Sequence, residues 1–376
     1  MSSEGTIATH FADLVDGRDN QGKRHLLMDV ITIAICSIIA GGEGWTDMEL
    51  FGQTKETWFR SFLTLTHGIP SDDTFRRVFE RIDPEKFQQN FVDWVKAAEQ
   101  LTDGQVIAID GKTVKGTRRS GQKAIHIVSA WASENKVILG QLKTDDKSNE
   151  ITAIPQLLDL LSISGCIVTI DAMGCQTEIA QKIIDEEGDY LLAVKKNQGR
   201  LYEDIEWLFK FATDTNYAEE GFDQDKTVDK GHGRLEVRRC WTITDTEWLT
   251  HIRDRNRWPQ LRGVVKVAAK RDCDKRHKPE VRYYITSCAA PAERILAATR
   301  AHWGIENEVH WVLDVVFNED GTCIQDVNSS QNLVVLRHIA LNLLRQEKSS
   351  KLSLRAKRLK ASWDEAYLRR ILVGRE

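Results

Sequence analysis

The chain has 376 residues, 41% hydrophobic and 29% charged, with a formal net charge of −4, the composition of an ordinary globular protein of two or three domains. Overall charge announces no nucleic-acid partner, so any basic surface must be local. The seven cysteines form no CxxC pair, which argues against a zinc ribbon and for a reduced cytosolic protein. Met1-Ser2-Ser3-Glu4-Gly5 lacks the start of a signal peptide, and the apolar run Val30 to Ala40 falls well short of the roughly 20 residues a bilayer takes, so a cytoplasmic protein with no membrane role is expected.

Residues 1–100 read as an all-α domain. His25 to Ala40 is an apolar helix ended by Gly41-Gly42, and Asp47 to Leu63 is amphipathic. In Pro70-Ser71-Asp72-Asp73-Thr74, Ser71 or Asp72 can cap a helix whose Phe75, Val78 and Phe79 recur at helical spacing. Asp83-Pro84 opens another helix through Trp94. The unit is expected to have its own apolar core over 25–95. The compact all-α unit has a helix-turn-helix flavour; a packing domain is the plain reading, and Arg76, Arg77 and Arg81 on one helix keep a DNA-reading role open.

From 104 the pattern changes. Gln105 to Asp110, Ala124 to Ala132 and Lys136 to Leu142 read as strands of a meander. Asn149 to Leu161 reads as a helix, Cys166 to Asp171 as a buried strand, Thr177 to Glu187 as a helix and Tyr190 to Val194 as a strand. The order β-β-β-α-β-α-β, with the first three strands antiparallel, predicts an α/β fold: a ribonuclease-H-like mixed sheet flanked by helices, over 101–345. A parallel α/β sheet of another family is the alternative. Residues 196–285 interrupt it as a β-rich insertion: helix Gln198 to Phe211, then strands Leu235 to Ile243, Gly263 to Lys270 and Val281 to Thr286. A long helix resumes from Ala290 to Val316. A final helix, Ser329 to Leu344, precedes a basic tail, 346–376.

Three segments carry the chemistry: Val106-Ile107-Ala108-Ile109-Asp110-Gly111-Lys112, Cys166-Ile167-Val168-Thr169-Ile170-Asp171-Ala172-Met173-Gly174, and His302-Trp303-Gly304-Ile305-Glu306-Asn307-Glu308-Val309-His310-Trp311. Two are apolar strands ending in Asp, and the third is a helix carrying Glu. Two divalent ions, roughly 3.5–4 Å apart, can ready the attacking oxygen and stabilise the leaving oxygen of a phosphodiester. Mg²⁺ prefers hard oxygen ligands and keeps several waters, so three carboxylates suffice. Asp110, Asp171 and Glu306 are therefore the candidate catalytic and metal-binding residues, for two Mg²⁺ or Mn²⁺ ions.

His302, Glu306, His310 and Asp314 recur every fourth residue and share a helical face, which raises the alternative of zinc. The usual zinc hydrolase pattern, however, sets two His four apart beside a Glu. Asp110-Gly111-Lys112-Thr113-Val114-Lys115-Gly116 is not a GxxxxGK[ST] loop; Gly111 is expected to make a flexible turn there. Lys112, Lys115, Arg118, Arg119 and Lys123 make a basic run that can hold phosphates. Lys195 and Lys196 are expected at the active-site rim. Lys348, Lys351, Arg355, Lys357, Arg358 and Lys360 make the tail a basic patch for DNA. Trp241 and Trp258 read as core residues, with base stacking the alternative.

Across about 25 to 345 the chain resembles the H-repeat-associated (Rhs-element-linked) insertion-sequence transposases of bacteria, among the DDE transposases. The resemblance rests on Ile69-Pro70-Ser71-Asp72-Asp73-Thr74-Phe75-Arg76-Arg77, Ile109-Asp110-Gly111-Lys112, Thr169-Ile170-Asp171-Ala172-Met173-Gly174-Cys175-Gln176, Val194-Lys195-Lys196-Asn197-Gln198, and His302 through Asn307 with Leu313 through Asp320. It implies a ribonuclease-H-like core, Mg²⁺ dependence, and Asp110, Asp171 and Glu306 as the metal-binding triad. The broader group often spaces Tyr, Arg and Lys around its Glu; here those positions hold Thr299, His302 and Leu313, with His302 as the candidate phosphate contact. The implied activity is strand cleavage and strand transfer at terminal inverted repeats, by a homodimer on double-stranded DNA in the bacterial cytoplasm and nucleoid. The alternatives are a nuclease of the same fold without strand transfer and a domesticated, non-catalytic DNA-binding protein.

Overall fold

The computed structural model describes residues 7–19, 23–118, 124–144, 149–214, 221–231, 234–271, 279–321, 323–324 and 326–373. The first apolar run forms α1 (Leu27–Ala40), buried over most of its length and ended at Gly41. The amphipathic stretch after it is split, with α2 at Trp45–Thr54 and a separate turn at Glu56–Phe59. Neither Pro nor Gly stands at Lys55, where it breaks; the packing of Phe51, Trp58, Phe59 and Phe62 on one another accompanies the bend. The Ser71 hydroxyl caps α3 (Asp72–Arg81) by accepting from the Thr74 amide. Asp83 and Pro84 open α4 (Pro84–Ala98) in the same manner, with the proline at a position that needs no amide hydrogen.

The strands form one mixed sheet of nine: β1 (Val106–Val114), β2 (Ile125–Ala132), β3 (Val137–Thr144), β4 (Ile167–Ile170), β5 (Asp189–Val194), β6 (Phe222–Gly231), β7 (Arg234–Ile243), β8 (Gly263–Arg271) and β9 (Glu280–Thr286). Their order is β3-β2-β1-β4-β5-β9-β8-β7-β6. β1, β2 and β3 are antiparallel, while β4 and β5 join parallel to β1 through α5 (Glu150–Asp159) and α6 (Thr177–Asp185). Apolar burial on both faces drives this half, and β2 is buried at every residue.

Residues 196–285 supply α7 (Gly199–Asp214) and four strands that continue the same sheet, since β9 pairs antiparallel with β5. The strand absent from the sequence reading is β6, Phe-Asp-Gln-Asp-Lys-Thr-Val-Asp-Lys-Gly. It lies at the sheet's edge, where charge is tolerated and discourages further pairing, so it carries no apolar alternation.

Helix α10 (Val327–Gln346) is buried almost end to end and ties the two halves together. Asn332 donates to the carbonyls of Phe79 and Ile82, and Asn342 exchanges two hydrogen bonds with Ile138 on β3. One continuous apolar cluster runs from Phe11 through α10 to Ile371. The N-terminal helices therefore share their core with the rest of the chain, contrary to the expectation of a separate one.

The expected basic tail is likewise two helices, α11 (Leu354–Trp363) and α12 (Glu365–Val373). Lys357 and Arg358 are corrected from DNA ligands to buried structural groups. Lys357 Nζ donates to the carbonyls of Leu344 and Glu347. Arg358 donates to those of Val316 and Ile38 and stacks on Phe317. Helix-end carbonyls lack partners within their own helix, and these cations satisfy them. Lys351 and Arg355 are exposed. Among the described residues no single helix is long and apolar enough to cross a membrane.

Candidate active site

Parallel pairing of β1 with β4 ends at Ile109 and Ile170. The next residue on each is an aspartate, so matching register sets Asp110 beside Asp171. Unlike the sequence reading, β1 does not stop at Asp110; it stays paired with β2 as far as Val114. Gly111 is a strand residue rather than a flexible turn. A Cβ there would lie 2.4 Å from Glu150 Oε1 and 2.5 Å from His126 Nε2, so glycine makes room for the buried His126–Glu150 pair behind the strand.

Asp171 is held by its own loop. Its Oδ1 accepts the amides of Met173 (2.9 Å) and Gly174 (3.4 Å), an Asx-turn. Asn197 and Gln198, which had no assigned role, fasten the next strand end to this loop. They donate to the carbonyls of Ala172 (2.7 Å) and Cys175 (2.8 Å). Lys195 and Lys196 are thereby presented, exposed, at the rim.

Glu306 comes from the helix that follows β9. α8 (Ala292–Gly304) runs into a π turn, Ile305–His310, and then α9 (Trp311–Val315). The expected single helix is thus continuous, but Glu306 sits in its widened turn, a local irregularity frequent at functional sites.

Asp110, Asp171 and Glu306 line one cavity of about 500 Å³, with Lys195, Lys196 and Arg282 also on its wall. Arg282 had no signal in the sequence beyond lying in a predicted strand. Burial, and then the charges of Asp171, Glu306 and Glu150, raise the Asp110 pKa to about 7 against the pull of the Gly111 amide. Among the described residues none of the three acids pairs with a lysine or arginine; Asp110 Oδ2 faces His310 Nδ1 at 3.5 Å. The acids are gathered in a shared cavity rather than a closed cage: no group of three or more His, Cys, Asp or Glu among the described residues stands ready to hold a metal ion.

Three of the four helical residues considered for zinc have separate partners, and the fourth, Glu306, lines the cavity. His302 Nδ1 meets Thr169 Oγ1 at 3.0 Å, His310 meets Asp110, and Asp314 meets Lys112. Burial holds His302 and His310 neutral, with pKa values lowered to about 4 and about 3. His302 therefore brings no positive charge to a phosphate, though its ring can still donate a hydrogen bond. Thr299 and Leu313 are buried.

Lys112 is corrected from a DNA ligand to the centre of a buried ion cluster, paired with Asp314 and Glu319. Lys115 is exposed and pairs with Asp320 at 3.0 Å. Arg118 is exposed, while Arg119 and Lys123 lie outside the described residues. Arg76 and Arg77 are exposed on α3 and pair with Asp73 and Glu80, contacts weak enough to be exchanged for others. Trp258 is buried, and Lys266 lies over the half-buried Trp241.

The buried imidazoles predict a pH dependence. His302, His310 and His338 have folded pKa values of about 4, about 3 and about 3, below the ordinary 6.5. The unfolded chain takes up their protons first as pH falls, so their contribution is complete above pH 6.5 and is lost below it. Asp110 runs the other way: its folded pKa of about 7 exceeds 3.8, so it gains stability as pH falls through 7 and offsets one of the three. We expect the metal-free protein to lose about 2–3 kcal/mol between pH 6.5 and 5 in urea unfolding. Constant or rising stability would show that these rings are hydrated.

A family model described as "Transposase DDE domain" matches residues 101–343, and one described as "DDE_Tnp_1-associated" matches residues 8–95. The chain is 40% identical over 360 residues to "Putative transposase YncI" of Escherichia coli O157:H7, covering 94% of this chain and 91% of that one. It is 40% identical over 376 residues to "H repeat-associated putative transposase YhhI" of Escherichia coli strain K12, covering 98% of each. Among solved structures it resembles "Cryo-EM structure of piggyBac transposase synaptic complex with hairpin DNA (SNHP)" at 11% identity and a TM-score of 0.46, over 98% of this chain and 78% of that one.

Proposed function

The chain belongs to the DDE transposase family, and from that premise we propose that it cuts and joins DNA at the ends of an insertion-sequence element. The observation that carries this reading is the convergence of Asp110, Asp171 and Glu306 on one cavity. The strand order β3-β2-β1-β4-β5, three antiparallel and then two added in parallel, supports a ribonuclease-H-like core beneath it.

The donor set suits a hard divalent cation. All three ligands are carboxylates, which favours Mg²⁺ or Mn²⁺ over Zn²⁺. Burial, and then the charges of Asp171, Glu306 and Glu150, raise the Asp110 pKa, and cations bound there would offset that penalty on the carboxylate. Asp110, Asp171 and Glu306 would hold two such ions, which when bound supply a readied attacking oxygen and a stabilised leaving oxygen.

The chain's own groups then hold and orient DNA. The Asx-turn fixes Asp171, and Lys195 and Lys196 offer charge to the backbone at the rim. Water cuts the strand at the element boundary, and the freed 3′-hydroxyl attacks target DNA, so no covalent protein–DNA bond is needed. Exposed Arg76 and Arg77 on α3, aided by the strands of 196–285, would recognise the terminal inverted repeats, and Lys115, Arg118, Arg119, Lys351 and Arg355 would add phosphate contacts. Two ends must be held together, which calls for a homodimer on DNA in the bacterial cytoplasm and nucleoid.

The test is incubation with Mg²⁺ and duplexes carrying the terminal sequences that flank its gene. Nicking at the boundary, followed by joined products, is expected. Cleavage without joining would make the protein a nuclease, and binding alone would make it a domesticated DNA-binding protein.

A further inference from the structure

The carboxylate cavity must admit a polyanion, yet its lining is rich in acids. Lys195, Lys196 and Arg282 are the cations on its wall among the described residues. The two lysines are exposed on the rim. Arg282 differs from them in being held. Its guanidinium lies on the Trp303 ring, 4.5 Å from the ring centroid. Its Nε and Nη2 also donate to Glu280 Oε1, at 2.8 and 2.7 Å.

Trp303 stands three residues before Glu306, so the stack forms between β9 and the helix that carries the third acid. A second cavity, of about 230 Å³, is lined by Arg282, Trp303 and Glu306 as well. Its other arginines are committed: Arg238 pairs with Asp229 and Glu236, and Arg300 pairs with Asp229. A strand passing from the face of β7, β8 and β9 toward the three acids would meet Arg282 where the two cavities share a wall.

We propose that Arg282 grips the phosphate at the point of cleavage, with Trp303 holding its plane and Glu280 as the group the phosphate displaces. This rests on the DNA-cleaving reading above. A guanidinium fork matches two phosphate oxygens as a lysine ammonium cannot, and a flat ring beneath it limits the orientations lost on binding. Glu280 is more than half exposed, with 59% of its side chain accessible, so exchanging that partner for phosphate costs little. With His302 neutral, α8 offers no competing cation from the position one turn before Glu306.

The experiment measures affinity, so it does not depend on turnover. In an Asp171→Asn background that blocks cutting, the element-boundary duplex is bound either unmodified or with a neutral methylphosphonate replacing the boundary phosphate. Arg282→Gln should weaken binding of the unmodified duplex about tenfold and leave the methylphosphonate duplex unaffected, and Arg282→Lys should recover part of the loss. Glu280→Gln should tighten binding of the unmodified duplex alone, a change of sign that misfolding does not produce. An equal effect of Arg282→Gln on both duplexes, or no effect on either, would overturn the proposal while boundary recognition stands. No preference of the Asp171→Asn protein for the boundary duplex over random DNA would overturn the DNA-end reading itself, and this proposal with it.

Discussion

Replacing Asp110 or Asp171 by Asn, or Glu306 by Gln, should lower strand cleavage by at least about 10³-fold while changing affinity for the boundary duplex less than about threefold. Each substitution keeps the shape of the side chain and removes one negative charge from the site where cations are proposed to bind. Two further measurements separate this from ordinary damage to the fold. Mg²⁺ should raise the Tm of the unaltered protein by mass action, because it binds only the folded site, and each variant should lose that increment. In metal-free buffer Asp110→Asn should be as stable as the unaltered protein or more so, since burial, and after it the neighbouring carboxylates, lift the Asp110 pKa to about 7. A variant that cuts normally removes its residue from the catalytic set. A variant that has lost both cutting and metal-free stability assigns that residue a structural role.

The elements that carry Asp110 and Asp171 were legible because their signal is local. A buried strand is a short apolar run, and a carboxylate at its end interrupts the run. The register Ile109↔Ile170 then sets the two acids side by side. Glu306 was legible as a residue on a helix, but its π turn was not, because no Gly, Pro or charge pattern in Ile305–His310 marks a widened turn. β6 escaped because an edge strand needs no apolar face. The cations misled for a different reason. A run of lysines and arginines reads as solvated surface, and only tertiary structure shows that Arg358 reaches two carbonyls or that Lys112 reaches acids some 200 residues away. Arg282 was hidden in the converse manner: one charge in a predicted strand says nothing until the Trp303 ring is found against it.

The shared core also changes how the N-terminal helices can be studied. Asn332 on α10 gives its amide hydrogens to carbonyls of Phe79 and Ile82, so removing residues 1–100 would strand a buried amide and uncover the apolar face of α10. Charge reversal at exposed Arg76 and Arg77 is the cleaner probe of end recognition, because it leaves those contacts in place.

Substituting Lys112 should produce the largest loss of stability of any single charge near the site. Its ammonium is enclosed, with 10% of the side chain exposed, between Asp314 and Glu319, and the Glu319 side chain is 1% exposed. Among the described residues Arg337 is the other cation paired with Glu319, at 3.8 Å. Lys112→Met keeps the length of the side chain and removes the charge, leaving a buried carboxylate short of its closest partner. Breaking such a pair from one side costs about 3–5 kcal/mol, and urea unfolding should show a loss of that size. Adding Glu319→Gln should restore much of it, because the two residues act as one unit whose energies do not add. The consequence for the site is geometric. Lys112 lies two residues beyond Asp110 on β1, while Asp314 and Glu319 follow the π turn that carries Glu306. The cluster therefore fixes the distance between the strand bearing the first acid and the helix bearing the third. Cleavage should fall in Lys112→Met even at temperatures where the protein remains folded, and the double variant should regain stability without regaining cleavage. A change in stability below about 0.5 kcal/mol, the range of ordinary surface substitutions, would show that water already serves these acids and that the strand and helix are held together by apolar packing alone.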